Sequence, residues 1–451
     1  MKTGILELKR DIVAYTISPH HIAAAVILLG LAIRTTALLI YGNAFSTSSD
    51  DENYIFGTIN TMMTGQLTYG FAWPSEPSMI IMPTLQVFLG LIFRIFGYTQ
   101  SDIVLVRFFI NVIGCLGIIG LYKLGERLFN PTVALIATAM WALWPPNILS
   151  DNLILTETPF IACILWFSYY VVKYCDTKKD SDFLTIILFW YVGFMTRSVM
   201  ALIPFMFVLY FLAKKFPIKL LLKRGIFAVV ILGFLCFPWW LRNYQITGDF
   251  VSSTGSSGTV LLLGTFFGNY PETEFGNQHE EALTVPGEIN SLYNRMQRQG
   301  DYARYRLSYW WQTDRQSLME AYLIIKPRHI FTAPYYMWEI FEIPRQLVRS
   351  AFRAILFLSF LGALVGVAIK QVRASIIVCV MMVGYGLLLA VVFLPYPRYM
   401  YPFMPFVFLL AAYALGLAGT VLARCVPFIC KQINLTKLRG FLGGSSNSHL
   451  N

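Results

Sequence analysis

The sequence is poor in charged residues, cysteine and histidine. Only 13% of its 451 residues are charged, whereas 57% are hydrophobic and the mean hydropathy is +0.60. Soluble globular proteins carry about twice that share of charge, so this class is excluded. The seven cysteines lie in or beside apolar segments, and the five histidines offer no zinc-binding constellation. We therefore expect neither a disulfide framework nor a zinc site.

Nucleotide-binding fingerprints are missing as well. The chain has neither a Gly-rich phosphate loop nor a G-x-G-x-x-G turn, which argues against a nucleotide substrate or cofactor. The formal net charge of +11 does not indicate a nucleic-acid partner, because most Lys and Arg residues flank apolar runs. Basic residues in such positions orient a protein in the lipid bilayer.

Eleven apolar runs dominate the chain. A membrane-spanning helix needs roughly 20 residues, or fewer when flanking side chains reach the interface. The first run is not followed by a small-residue cleavage site, so we interpret it as a retained helix. The pattern predicts an integral, polytopic membrane protein, and the runs lie at residues 22–41, 79–97, 103–122, 132–149, 158–172, 183–196, 199–213, 225–240, 350–369, 374–394 and 401–423.

The basic clusters predict how these runs cross the membrane. Lys and Arg are enriched on the cytoplasmic side, and strict alternation of all the runs would place several basic clusters outside. We therefore expect one run not to cross. Run 79–97 is the best candidate because it contains Pro83, Gln86 and Arg94, so it is predicted to form a horizontal or re-entrant helix. About ten spans then remain, with both termini in the cytoplasm.

This topology divides the chain into four parts. Residues 1–240 form an N-terminal transmembrane module, which includes a first outer loop at residues 42–102. Residues 241–349 form a large outer loop with a helical pattern in its second half. Residues 350–423 form further transmembrane helices, and residues 424–451 form a cytoplasmic tail.

Three adjacent acidic residues, Asp50, Asp51 and Glu52, stand in the first outer loop. No Lys or Arg occurs between Arg34 and Arg94 to neutralise them. Crowding at a low-dielectric boundary raises the pKa of one carboxylate, which could then act as a general base toward a hydroxyl group. The alternative is a helix start with a solvated acidic first turn, capped by one of the preceding serines.

The predicted topology brings a further carboxylate, Glu157, to the same side of the membrane. Glu157 precedes an apolar helix, where it could simply favour the helix dipole. It could also position an acceptor, or bind a divalent metal together with Asp50. Asp151 is expected nearby. These positions are consistent with an active site, and they leave the metal question open.

Arg197, Arg242 and Arg398 are predicted to lie on that side too. Arg197 falls at the turn of a hairpin between apolar flanks, where a charge is costly and usually functional. Guanidinium groups at the lipid boundary suit the phosphate of a lipid-linked substrate. The structural alternatives are that Arg197 snorkels to the interface, and that the aromatic segments around Arg242 and Arg398 anchor the protein there.

The order and spacing of these motifs resemble a known family over nearly the whole chain. The chain is similar to the polyprenyl-phosphate-dependent GT-C glycosyltransferases of glycosyltransferase family 39. That family includes the protein O-mannosyltransferases, their bacterial relatives and the related lipid A aminoarabinose transferase. The resemblance is carried by Ser49-Asp-Asp-Glu-Asn-Tyr54 with Gly65, by Met82-Pro83, Val106-Arg107, Thr156-Glu157-Thr158 and Met195-Thr-Arg197, and by Pro238-Trp-Trp-Leu-Arg-Asn-Tyr244 and Pro397-Arg-Tyr399.

The resemblance implies an all-α membrane protein of the GT-C fold, with horizontal helices in the first outer loop. It implies a catalytic aspartate, a following acid and a tyrosine four residues on, which selects Asp50, Asp51 and Tyr54. An Asp51 and Glu52 pair stays open as an alternative register. The implied site residues are Asp50, Asp51 and Glu157 for catalysis, Arg197, Arg242 and Arg398 for the donor phosphate, and Glu52, Tyr54, Arg107 and Tyr399 for substrate binding.

Two departures from the family pattern bear on the substrate. The aminoarabinose transferases carry a lysine where Met82 stands, so transfer of aminoarabinose is disfavoured. The second acid is Glu157 rather than aspartate, which leaves metal coordination in doubt. The resemblance implies inverting transfer of a sugar from a polyprenyl-phosphate donor to a hydroxyl of a glycan, lipid or protein. The reaction would occur on the outer face of a bacterial plasma membrane, and the alternative function is a transporter or flippase of lipid-linked sugars.

Overall fold

The computed structural model describes residues 18–46, 50–70, 76–271 and 291–422, apart from the side chain of residue 100. Within these ranges the chain is helical and contains no β-strand, which confirms the predicted all-α class. The predicted capping serines, the beginning of the helical pattern in the large outer loop and the C-terminal tail lie outside the described residues.

Most of the predicted apolar runs coincide with helices, whereas run 79–97 is shortened, run 199–213 is broken and further helices lie between the runs. A further helix covers residues 404–422, and shorter non-α turns lie at Gly42–Ala44, Ser198–Leu202, Ala321–Ile325, Ile340–Glu342 and Tyr401–Phe403. The α-helices are α1 (Pro19–Tyr41), α2 (Asp50–Thr64), α3 (Thr84–Phe96), α4 (Gln100–Leu128), α5 (Pro131–Ala142), α6 (Pro145–Asp151), α7 (Glu157–Thr177), α8 (Asp180–Thr196), α9 (Ile203–Met206), α10 (Val208–Ala213), α11 (Ile218–Thr247), α12 (Ser257–Gly264), α13 (Leu292–Thr313), α14 (Arg315–Glu320), α15 (Lys326–Ile330), α16 (Arg345–Ala368), α17 (Arg373–Val392) and α18 (Pro397–Met400).

Among the described residues, seven helical segments are long and apolar enough to cross a membrane. The pair α5 and α6 would make an eighth, although it is bent by 65°. The remaining two predicted spans correspond to α8 and the broken stretch 198–213, which are shorter. The predicted total of about ten spans stays a prediction.

The segment predicted to form the first outer loop contains two helices, α2 and α3, which pack against each other. Run 79–97, predicted not to cross, forms only the 13-residue helix α3. Gln86 on this helix donates a hydrogen bond to the backbone carbonyl of Thr68, at 2.6 Å. The contact ties α3 to the segment that follows α2.

The helices that support the site pack closely through small residues. Helix α4 packs along α7, and a side chain at Gly117 would come within 3.3 Å of the Ala162 Cα atom. Small residues at such crossings let helix backbones approach, which is how packing stabilises helices in a membrane. This contact holds α7, and therefore Glu157 at its beginning, against the centre of the molecule.

A buried ion pair joins α1 to α6. The Arg34 Nε atom lies 2.7 Å from Asp151 Oδ2, and the two side chains are 0% and 2% exposed. Arg34 also donates to the Ala142 carbonyl at 2.8 Å, and Asp151 accepts from the Thr158 hydroxyl at the same distance. Asp151 therefore holds helices together rather than joining the candidate site, where the sequence had grouped it with Glu157.

Breaking this pair is expected to destabilise the protein. The variants Arg34→Met and Asp151→Asn each leave a buried group without its partner, a change that costs about 3–5 kcal/mol. Thermal unfolding of detergent-solubilised protein should show a lower melting temperature for both single variants. The double variant should be more stable than either single variant, and an unchanged melting temperature in the single variants would contradict the assignment.

Candidate active site

Two carboxylates and two arginines converge at one point of the structure. The Arg398 guanidinium donates from one terminal nitrogen to Asp50 Oδ2 and from its other two nitrogens to the Glu157 carboxylate. Arg197 approaches Glu157 from another side, with its NH1 atom 2.9 Å from Oε1. Arg398 therefore bridges the two carboxylates, and Glu157 bridges the two arginines. We call these four residues the charged cluster.

Each member of the charged cluster stands at a helix boundary. Asp50 begins α2 and Glu157 begins α7, where the helix dipole stabilises negative charge. Arg197 follows the last residue of α8 in an extended conformation, and Arg398 lies in the short helix α18, which starts with a proline. Local sequence determines where each of these helices begins or ends. The charged cluster forms because packing brings the four helix ends together.

The four side chains of the charged cluster differ in their exposure to solvent. The Glu157 side chain is fully buried, whereas those of Arg398 and Asp50 are 26% and 34% exposed. Arg197 lies between these extremes, at 17%. Glu157 therefore contacts both arginines from the buried side, and Asp50 is the more exposed of the two carboxylates.

Asp51 has different surroundings from Asp50. Its carboxylate is buried, 3.7 Å from an Arg107 terminal nitrogen and 3.3 Å from the Ser46 hydroxyl, which donates to it. Arg107 also donates to the backbone carbonyl of Asn152, at 2.7 Å. This pair links α2 to α4 and the region after α6, away from the exposed part of the charged cluster.

Two tyrosines stand beside Asp50. The Tyr69 hydroxyl donates to Asp50 Oδ1 at 3.4 Å, and the rings of Tyr54 and Tyr69 meet edge to face at 5.3 Å. Burial is the main cause that raises the pKa of both phenols above the ordinary value, so both stay protonated. The sequence motif had indicated Tyr54, whereas the contact of Tyr69 with Asp50 carries no local sequence signal.

A cavity of about 560 Å³ opens beside the charged cluster. Pockets of roughly 300–1,000 Å³ are typical of small-molecule sites. Of the predicted site residues, Asp50, Tyr54, Arg197, Arg398 and Tyr399 line this cavity. Met82, which stands where the aminoarabinose transferases carry lysine, lines it too, and further walls come from Thr156, Thr196 and Ser198, from residues 254–260 and 292–299, and from Leu389 and Phe393.

The chain is similar to known proteins in part of its sequence and in its fold. Residues 76–241 match the family model described as dolichyl-phosphate-mannose-protein mannosyltransferase. The crystal structure of the apo oligosaccharyltransferase of Archaeoglobus fulgidus is similar to the model over 95% of this chain, with a TM-score of 0.51 and 13% sequence identity. The chain has the GT-C glycosyltransferase fold.

Further solved structures of GT-C proteins match this chain. A second structure of the Archaeoglobus enzyme, bound to an inhibitory peptide and a dolichol-phosphate, covers 95% of the chain, with a TM-score of 0.50 and 12% identity. The chain spans about half the length of that oligosaccharyltransferase, at 53% and 52% in the two structures. ArnT from Cupriavidus metallidurans matches at 12% identity over 87% of this chain and 77% of its own, with a TM-score of 0.40. No curated protein sequence matches the chain.

The family match covers only part of the charged cluster. Glu157 and Arg197 fall inside the matched residues 76–241, whereas Asp50 and Arg398 lie outside them. The cluster therefore combines residues from within the matched region with residues from before and after it.

Five of the ten predicted site residues do not line the cavity: Asp51, Glu157 and Arg107 are buried, and the other two are Glu52 and Arg242. Glu52 is exposed on α2 and does not line the cavity. Arg242 donates to the Ser78 carbonyl at 3.0 Å, and its guanidinium lies 4.8 Å from the Trp239 ring centroid. These contacts fasten the first outer loop to α11, so the structure gives Arg242 a role in packing.

Replacing Arg242 is expected to affect stability more than catalysis. Arg242→Met removes hydrogen bonds from a charged donor to backbone carbonyls, each worth about 1.5–3 kcal/mol. The melting temperature should fall while the KM for a polyprenyl-phosphate donor stays within a few-fold of its original value. A large rise in donor KM with unchanged stability would instead place Arg242 at the donor phosphate.

Asp50 and Glu157 were predicted to share a metal ion, but an arginine side chain lies between their carboxylates. Arg398 donates to both carboxylates, so its guanidinium fills the position between them. Among the described residues, no group of three His, Cys, Asp or Glu side chains could hold a metal ion. The two carboxylates therefore do not fit a shared metal in this arrangement.

Proposed function

We propose that this protein transfers a sugar from a polyprenyl-phosphate donor to a hydroxyl acceptor, with inversion at the anomeric carbon. The observation that carries the proposal is the charged cluster at the wall of the cavity, within a GT-C fold. It combines an accessible carboxylate with cations that suit a phosphate. The site would face the outer side of a bacterial plasma membrane.

The two arginines of the cluster can bind the donor phosphate without leaving Glu157. A guanidinium has five N–H groups, and each terminal nitrogen carries two of them. Arg197 uses its NH1 nitrogen for Glu157 and Thr156, and Arg398 uses one N–H of each nitrogen for the two carboxylates. The remaining N–H groups suit phosphate oxygens, as charge-assisted hydrogen bonds.

Asp50 would act as the general base. The acceptor hydroxyl loses its proton to the Asp50 carboxylate while its oxygen forms a bond to the anomeric carbon of the donor. The bond between that carbon and the phosphate oxygen breaks, and its electron pair stays on the phosphate. Attack from the face opposite the phosphate inverts the anomeric carbon.

The charges of the cluster change in step with this reaction. Two carboxylates and two guanidinium groups sum to zero before the proton moves. Protonation of Asp50 leaves the cluster with a net charge of +1 at the moment when the departing phosphate gains negative charge. Such preorganised electrostatic stabilisation can replace a general acid for this leaving group.

The test is a transfer assay with purified full-length protein. The protein is incubated with a panel of radiolabelled polyprenyl-phosphate sugars and a membrane extract. A transferase produces a labelled acceptor and free polyprenyl phosphate. A transporter or flippase of lipid-linked sugars would move intact donor across proteoliposomes without cleaving it, and that result would overturn the proposal.

A further inference from the structure

A second polar group lines the same cavity and is not used by the proposed reaction. Its members are hydroxyl and amide side chains from the predicted large outer loop, and the charged side chain of Arg295 from the same segment lines the cavity as well. We call this group the hydroxyl wall, and its members are Thr254, Ser256, Ser257, Thr259 and Gln299.

The hydroxyl wall is held in place by the surrounding backbone. The Ser256 hydroxyl lies 3.1 Å from the Ile80 carbonyl, to which it can donate, so the wall is fastened to the first outer loop. Helices α12 and α13 meet at Gly258 and Gly300, where a Cβ atom on Gly258 would lie 2.9 Å from the Gly300 Cα atom. This close contact fixes the two helices that carry Thr259 and Gln299.

The hydrogen bonds within the wall determine what it offers to a ligand. Thr259 donates its only hydroxyl proton to Gln299 Oε1, at 2.6 Å, so its oxygen can only accept from a ligand. The Ser256 proton is likewise used, on Ile80 or on Thr254. Gln299 is 3% exposed, and its amide nitrogen has no hydrogen-bond partner among the residues that the structure describes. The wall therefore presents two acceptors and an amide donor to the cavity.

A ligand that matches this wall must both donate and accept hydrogen bonds. A phosphate or an ionised carboxylate only accepts, so it would leave the Thr259 and Ser256 oxygens unmatched. Sugar hydroxyl groups do both, and their spacing on a ring suits adjacent donors and acceptors. Val260 and Met296, which also line the cavity, provide an apolar surface for the C–H face of a sugar ring.

We propose that the hydroxyl wall is a subsite for a saccharide acceptor. The inference rests on the proposed transferase function and selects one acceptor class from glycan, lipid and protein. The acceptor is favoured over the donor sugar because the wall belongs to the large outer loop, whereas Arg197 and Arg398 adjoin apolar helices where a prenyl chain would lie. Both substrates would then meet at Asp50 in one cavity.

Direct binding tests this assignment without turnover. Full-length protein in lipid nanodiscs is examined by saturation-transfer difference NMR with neutral disaccharides of glucose, mannose and N-acetylglucosamine, and with a Ser- and Thr-rich peptide of similar mass. Gln299→Glu preserves the acceptor for Thr259 but removes the amide donor, and Gln299→Leu removes both. Loss of one such hydrogen bond should weaken saccharide binding about 3- to 10-fold in both variants. Gln297→Glu, at an exposed position on the same helix, should bind like the original protein.

The outcomes separate the subsite from the proposed function. Saccharide binding that is weakened in both Gln299 variants but not in Gln297→Glu supports the subsite. If no donor is cleaved in the transfer assay, that result overturns the transferase alone. Absence of saccharide binding, binding of the peptide instead, or equal saccharide binding in the original protein and the Gln299 variants would each overturn the subsite. In a working transfer assay, the Gln299 variants should raise the KM for the acceptor and leave the KM for the donor unchanged.

Discussion

The Asp50→Asn variant is expected to lose sugar transfer while folding and inserting normally. Asparagine has nearly the same shape but cannot take the acceptor proton, and a general base contributes about 10²- to 10⁴-fold to such reactions. The Asp50 side chain is partly exposed and its ion pair is with Arg398, which keeps Glu157 as a partner in the variant. Release of polyprenyl phosphate and thermal unfolding measure the two effects separately.

Two further variants sharpen this test. Asp301→Asn, at an exposed outer-loop position paired with Arg304, should keep full activity. Asp51→Asn should lower the melting temperature, because it disturbs the buried contact with Arg107, but it should retain measurable transfer. Undiminished turnover in Asp50→Asn would remove the residue from the mechanism. A stable but inactive Asp51→Asn variant would instead identify Asp51 as the general base.

Removing the Arg398 guanidinium is expected to have a comparable effect on transfer. In Arg398→Met the Asp50 carboxylate loses its cation and the departing phosphate loses a stabilising charge. Loss of one such group costs about 10²- to 10³-fold in kcat. Arg398→Lys should not restore full activity, because an ammonium group cannot bridge Asp50 and Glu157 in the geometry of a planar guanidinium.

A double variant distinguishes catalysis from packing at Arg398. Glu157 is fully buried, so Arg398→Met also leaves this carboxylate with Arg197 as its remaining charged neighbour, and the protein should be less stable. Adding Glu157→Gln removes the buried charge and should recover stability without recovering transfer. Recovery of transfer in the double variant would show that Arg398 serves only to neutralise Glu157.

The helices were predictable because their signal is local. Run 103–122 lies within α4, and all but the last two residues of run 374–394 lie within α17. The basic clusters predicted that one run does not cross, the Pro, Gln and Arg residues of run 79–97 selected that run, and it forms a helix of 13 residues. Hydrophobic length and charge at helix ends are properties of short segments, so no knowledge of packing was needed.

The partners of the charged residues were not predictable in the same way. Asp151 and Arg242 were expected near Glu157, yet the structure pairs Asp151 with Arg34 and places Arg242 against the Ser78 carbonyl. Asp151, Arg242 and Ser78 lie close to helix ends or in the segments between helices. The sequence pattern around a charged residue therefore does not show which side chain that residue contacts in the folded protein.

The sequence by itself determined the class of this protein, the approximate helices and the short list of charged residues at their ends. Only the tertiary structure decided that Arg398 meets Asp50, 348 positions away in the chain, and that Gln299 faces the same cavity. The physical reason is that the two kinds of interaction act over different separations along the chain. Burial of apolar surface is specified within each helix, whereas an ion pair forms only where packing brings distant helix ends within a few ångströms.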